Sequence, residues 1–165
     1  MEPVAWHASL PGVIMAAGAL INDGNSGVMI VKPNYRDHWT LPGGICEFGE
    51  PPHVGCAREI SEELGLDLPI GPLLAIDWQP ALATYGPHAR PAVYFVFDCG
   101  TLNGQAHITL QQEELDEWRF IEPNAMAAYL PPQMLPRAVA AVAAKAAGTT
   151  FYVPVKQQAD APGAS

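Results

Sequence analysis

Cysteine and basic residues are both scarce in this chain of 165 residues. Only three cysteines occur, Cys46, Cys56 and Cys99, and no Cys-x-x-Cys spacing is present. An odd number of cysteines in a chain of this length argues against a disulfide framework or a structural zinc. It points to a reducing, cytoplasmic setting in which the thiols behave as small hydrophobes. Lysine and arginine together number 8 against 17 aspartates and glutamates, a formal net charge of −9. With no basic stretch, the surface should repel a nucleic acid polymer. A small phosphate-bearing substrate would be repelled too, unless a cation sits between it and the protein. Long hydrophobic runs are also missing. The stretch from Gly12 to Ile21 is about ten residues, too short to span a bilayer. It lacks a basic flank, so it is a poor signal peptide and reads as a buried strand.

Apolar residues make up 49% of the chain and charged residues 15%, as in a globular domain with one core. Residues 1–156 are expected to form that domain, and residues 157–165 a disordered tail. Residues 1–11 read as an irregular lead-in. Strands are expected over Val13–Ile21 and Val28–Val31, joined as a hairpin across a turn cluster, and over Leu73–Trp78, Ala92–Asp98, His107–Leu110, Trp118–Ile121 and Phe151–Val155. The clearest helix is Pro51–Leu64, with prolines suited to its first turn and Gly65 just past its end. A short helix over Pro123–Leu130 and an alanine-rich one over Leu135–Ala147 follow. Strands before and after one central helix, plus a terminal helix, predict an α/β fold with a mixed sheet sandwiched between helices.

The informative segment runs from Gly44 to Leu66. On a helix at about 100° per residue, Glu59, Glu62 and Glu63 share one face, while His53, Ala57, Ile60 and Leu64 fall roughly opposite. Three like charges on one face cost a few tenths of a kcal/mol per close pair, and nothing about helix formation requires them. A hard divalent cation such as Mg²⁺ or Mn²⁺, which prefers carboxylate oxygens, would remove the repulsion. Arg58 can orient Glu62 across one helical turn, with Glu50 as a second partner. Gly43 and Gly44 free the backbone for close ligand approach. The plainer alternative is a solvated acidic face. The tight Arg-Glu-x-x-Glu-Glu run, the Gly-Gly turn and Gly65 together argue against it.

This segment resembles the Nudix box, Gly-x5-Glu-x7-Arg-Glu-U-x-Glu-Glu-x-Gly-U, where U is a bulky aliphatic residue. Gly44, Glu50, Arg58, Glu59, Ile60, Glu62, Glu63, Gly65 and Leu66 fill every specified position. The lead-in Trp39-Thr-Leu-Pro-Gly-Gly and the later Glu114-Leu-Asp-Glu-Trp-Arg-Phe-Ile are similar to flanking segments of that family. The resemblance implies the Nudix fold and hydrolysis of a phosphoanhydride in a nucleoside diphosphate derivative. It implies Glu59, Glu62, Glu63 and the Gly43 carbonyl as ligands of Mg²⁺ or Mn²⁺. The general base stays open between Glu62, held by Arg58, and Glu114 or Glu117 of the later loop.

Substrate choice is thinly written. Lys32 and Arg36 upstream of the Gly-Gly turn, and Trp78, Tyr85 and Arg90 after the box, are candidates for phosphate or base contacts; ordinary core and surface roles suit each as well. Motifs of the coenzyme A and NADH pyrophosphatases are missing. The expectation is a nucleoside triphosphate pyrophosphatase of the housecleaning kind, with an ADP-ribose or nucleoside diphosphate-sugar pyrophosphatase as the alternative. A non-catalytic nucleotide sensor is the alternative from another class. No feature decides whether the chain forms a homodimer.

Overall fold

In the computed structural model, which describes residues 2–104 and 106–153, alternating apolar side chains build one mixed sheet of seven strands. The strands are β1 (Ile14–Asp23), β2 (Val28–Pro33), β3 (Gly43–Ile45), β4 (Leu73–Gln79), β5 (Ala92–Leu102), β6 (Leu115–Ile121) and β7 (Phe151–Val153). Their order is β6-β2-β1-β5-β4-β7, with β3 paired to β1 off that path. The pairs β1–β5 and β4–β7 are parallel, and the others are antiparallel. The helices are α1 (Pro3–Ala8), α2 (Pro52–Leu64), α3 (Met126–Tyr129) and α4 (Leu135–Ala147).

The two-residue period of the strands sorts the core into two layers. Leu20, Val28, Ile30 and Val96 pack with Ala138, Ala141 and Ala144 of α4. Their neighbours Ala19, Ile21, Met29, Val31 and Phe97 pack on the other side with Cys56, Ile60 and Leu64 of α2. The expected sheet between helices is therefore present. Each fully buried side chain such as Ile60 or Leu64 contributes about 1.5–3 kcal/mol.

Three local expectations differ. Residues Pro3–Ala8 form a short helix, begun by a proline in its first turn, although all its residues stay accessible. His107–Leu110 forms no strand. Instead Thr109 N–H donates to the Leu64 carbonyl and Gln111 N–H to the Glu63 carbonyl, so this stretch satisfies carbonyls left open at the end of α2. The Pro123–Leu130 helix is split into a 3₁₀ turn and α3. The tail expected to be disordered, 157–165, lies outside the described residues.

What positions the site is the double pairing of β1. Its Ala16, Ala17 and Gly18 face Ile45, Gly44 and Gly43 of β3, whereas its far end meets β2 at Asn22 and Val28. Five of the six residues that pair between β1 and β3 are glycine or alanine, and the lack of bulk there leaves room for a cavity that Ala16, Ala17, Gly18, Gly43 and Gly44 line. Gly43 takes φ of 139°, and an added Cβ would strike the Ala17 carbonyl. Downstream, α2 stops at Gly65 in the left-handed conformation, φ 65° and ψ 26°.

Candidate active site

Arg58 is the hub of the box. Its Nε and Nη2 donate to the two oxygens of Glu50 at 2.9 and 3.0 Å, a bidentate fork. Nη1 donates to Glu59 Oε1 at 2.8 Å and to Glu62 Oε2 at 3.0 Å. Nη2 also donates to the Ile45 carbonyl at 3.2 Å, which ties β3 to the helix. One guanidinium thereby spends its five N–H groups on three carboxylates and one carbonyl. The pairing holds Glu50 below the ordinary carboxylate range and raises the pKa of Arg58 itself.

Glu63 is placed differently. The helical wheel puts it on the outer, acidic face, yet it is only 6% exposed. Its Oε2 accepts the Gly43 N–H at 2.8 Å, at the first residue of β3. Burial outweighs that hydrogen bond, and the charges of Glu59, Glu114 and Glu62 add to it, so its pKa is pushed up to about 8. Burial also raises Glu59, against the pull of Arg58. Among the described residues, each of Glu59, Glu62 and Glu63 keeps one oxygen that accepts no hydrogen bond.

Glu59 and Glu63 open into a cavity of about 340 Å³, lined also by Gly43, Gly44 and, from the loop before β6, Glu114, whereas Glu62 is not among its lining residues. The loop that carries Glu114 is anchored on the end of α2, because Gln111 bonds to Glu63 and Glu114 N–H donates to the Gln111 carbonyl. Of the substrate candidates, Arg36 lines the cavity. Lys32 is turned away, its Nζ donating to the carbonyls of Pro33 and Arg36. Trp78 is half-buried in β4, Tyr85 is exposed on a 3₁₀ turn, and the Arg90 guanidinium lies over Gly12; none of the three lines the cavity. Glu117 pairs with Arg119 at 2.8 Å, outside the cavity. The cavity also takes in Tyr35, Tyr94 and Arg137, which sequence reasoning passed over. For Arg137 there was a signal: a lone arginine on the stripe Ala138, Ala141, Ala144 of an otherwise apolar helix.

The family model described as NUDIX domain matches residues 13–144 of this chain. The chain belongs to the Nudix family. A Bacillus subtilis protein provisionally named an ADP-ribose pyrophosphatase is 39% identical over 49 residues, 30% of this chain and 24% of that protein. A MutT-like protein of Streptomyces ambofaciens is 28% identical over 91 residues, 55% of this chain and 53% of that one. The chain thus spans about a quarter and about half of the length of these two curated relatives. The crystal structure of a MutT protein from Methanosarcina mazei superposes with a TM-score of 0.64 at 22% identity, covering 79% of this chain and 94% of that one, which shows the shared fold.

Nudix proteins generally use divalent cations, and the residues here suit one. No three histidine, cysteine or acidic side chains among the described residues form a ready-made cage. The fit rests instead on the donor set: hard carboxylate oxygens, partly desolvated, with more negative charge than Arg58 offsets. Gly44 is part of that fit, because a Cβ there would lie 2.5 Å from Glu59 Oε1. Gly44→Ala should therefore displace the Glu59 carboxylate and lower turnover about tenfold or more. A steady-state assay beside a melting curve checks this; the fold should survive, since only a side-chain tip has to move. Unchanged turnover would show that the Glu59 position is immaterial.

Proposed function

We propose that this Nudix protein is a metal-dependent pyrophosphohydrolase that cuts a phosphoanhydride bond in a nucleoside diphosphate derivative. The observation that carries the reading is the crowding of Glu59, Glu63 and Glu114 on a cavity that is also walled by apolar and aromatic side chains. A nucleotide needs both, a charged end for its phosphates and a flat apolar end for its base. Glu59, Glu62, Glu63 and the Gly43 carbonyl would hold Mg²⁺ or Mn²⁺. The bound ion supplies charge neutralisation for the diphosphate and acidifies a water. Arg58 fixes the rotamers of Glu59 and Glu62 so that their free oxygens stay in place. Glu62 or Glu114 would accept the proton of the attacking water as the anhydride P–O bond breaks, and the phosphate on the other side of that bond would leave with the bridging oxygen. Arg36, on the cavity rim, offers a positive charge to that phosphate.

The substrate class favoured is a nucleoside triphosphate, hydrolysed to the monophosphate and pyrophosphate. The alternative is an ADP-ribose or nucleoside diphosphate-sugar substrate, and the name of the Bacillus relative supports the ADP-ribose form. A nucleotide panel with Mg²⁺ or Mn²⁺, with and without EDTA and with product identification, decides between them. Triphosphate cleavage that EDTA abolishes is the expected result. Nucleotide-induced thermal stabilisation with no product would instead indicate a sensor.

The raised pKa of Glu63 gives a second check that is independent of substrate. Its pKa is about 8 in the folded, metal-free chain against an ordinary 4.5, so the folded state binds more protons between those values. Stability must then fall as pH rises through that window. The melting temperature of metal-free protein should drop between about pH 5 and about pH 8. Saturating Mg²⁺ or Mn²⁺ should recover it at the upper pH and do little at the lower one. Equal cation stabilisation at both pH values would mean that Glu63 is not involved.

A further inference from the structure

Arg137 sits on α4, in the helical layer opposite the acidic helix, yet lines the same cavity. It is 6% exposed. Its Cζ lies 3.6 Å above the centre of the Tyr94 ring. Nε is 3.3 Å from Asp77 Oδ2, in ion-pair range, but forms no aligned hydrogen bond. The Tyr94 hydroxyl is a further hydrogen-bond partner of the guanidinium. A buried arginine whose Nε stays unpaired and whose five donors are only partly used is costly unless something else accepts those bonds. The position is over-determined by its neighbours. Asp77 is 2% exposed, and the Gln79 side-chain amide donates to both of its oxygens at 3.0 and 2.9 Å.

The surroundings narrow the ligand. Asp77 already balances the charge of Arg137, so the pair is a poor trap for a phosphate dianion. It remains a good donor to neutral acceptors. The wall beside it is flat or apolar, formed by Tyr94, Val96, Leu130 and Met134. A planar ring carrying two adjacent acceptor atoms on one edge matches that chemistry. Among nucleobases, guanine offers such an edge in O6 and N7, the usual bidentate partner of arginine, whereas adenine places a donor beside N7.

We infer that Arg137 is the specificity-determining residue of this cavity and reads the nucleobase, with its remaining guanidinium donors taking O6 and N7 of guanine in preference to adenine. This rests on the nucleotide reading above, and goes beyond it by naming the base and the residue that selects it. Sequence separation hides the arrangement, because Asp77, Tyr94 and Arg137 meet only when β4, β5 and α4 pack.

The test compares kcat/KM for GTP, ATP and 7-deaza-GTP, which lacks the N7 acceptor, and equilibrium binding of GMP and AMP. The proteins are the wild type, Arg137→Gln, and Arg137→Gln with Asp77→Asn, which avoids leaving a buried carboxylate alone. Wild type should favour GTP over ATP by roughly ten- to hundredfold, the usual discrimination of a bidentate arginine contact, and should lose most of that with 7-deaza-GTP. In the double variant the guanine preference should collapse, mainly through a higher KM for GTP, and 7-deaza-GTP should behave like GTP. A guanine preference that survives both the substitution and the missing N7 overturns the inference, as does no guanine preference in wild type. If the variants fail to fold, wild type that treats 7-deaza-GTP like GTP still overturns the inference. If nothing is hydrolysed but GMP binds over AMP in an Arg137-dependent way, the inference stands and the hydrolase reading falls.

Discussion

Replacing Glu62 by glutamine should lower turnover by about a hundredfold or more at saturating cation, the low end for losing a general base or a key ligand. Glutamine keeps the length and can still accept from Arg58, whose Nη1 lies 3.0 Å from Glu62 Oε2. What it removes is the negative charge and the basicity of the free oxygen. Glu62 is about half-exposed, unlike Glu63, so its loss should leave the melting temperature of metal-free protein nearly unchanged. That combination, a large kinetic effect on an intact fold, separates a chemical role from a structural one. Near-normal turnover would remove Glu62 from the chemistry and leave Glu114, already on the cavity wall, as the base.

Arg58→Ala should damage both stability and activity. The substitution strips Glu50 and Glu59 of their cation, and these side chains are only 11% and 15% exposed. It also cuts the bond to the Ile45 carbonyl that fastens β3. Removing one partner of a fully buried ion pair costs about 3–5 kcal/mol, and the partial exposure of Arg58 lowers that to roughly 2–3 kcal/mol here. For a chain of this size the melting temperature should fall by about 5–10 °C. Divalent cations should recover part of the loss, because they neutralise the same carboxylates. Lysine cannot span the Glu50 fork and Glu59 together, so Arg58→Lys should fall between alanine and wild type. A melting temperature unmoved by Arg58→Ala would mean that the five contacts contribute nothing net.

The box was legible because its information is local. The helix, its Gly65 stop, the Arg58–Glu62 turn and the Arg58–Glu50 pair all follow from spacing along one segment, and the structure shows each of them. The depth of Glu63 was not legible. A helical wheel knows only which face a residue is on, and the Glu63 carboxylate is held by the Gly43 N–H of β3, a strand placed there by its pairing with β1. The same limit explains His107–Leu110. An alternating pattern reads as a strand, but the open carbonyls of α2 compete for its N–H groups and hold it as an extended cap. Arg137 stood out on its alanine stripe, but its packing against Tyr94 and Asp77 was hidden for a third reason. Asp77, Tyr94 and Arg137 come from three elements, and no short-range pattern links them.

If the α2 carboxylates hold a divalent cation against the phosphates of a nucleotide, the metal must be visible there. A crystal structure with Mn²⁺ and a non-hydrolysable nucleoside triphosphate tests it most directly, through the anomalous signal of the metal. Metal density within about 2.1–2.3 Å of oxygens from Glu59, Glu62 or Glu63, and shared with the bound phosphates, is the expected result. Nucleotide bound in the cavity with the metal absent from these carboxylates, or held elsewhere on the chain, would contradict it.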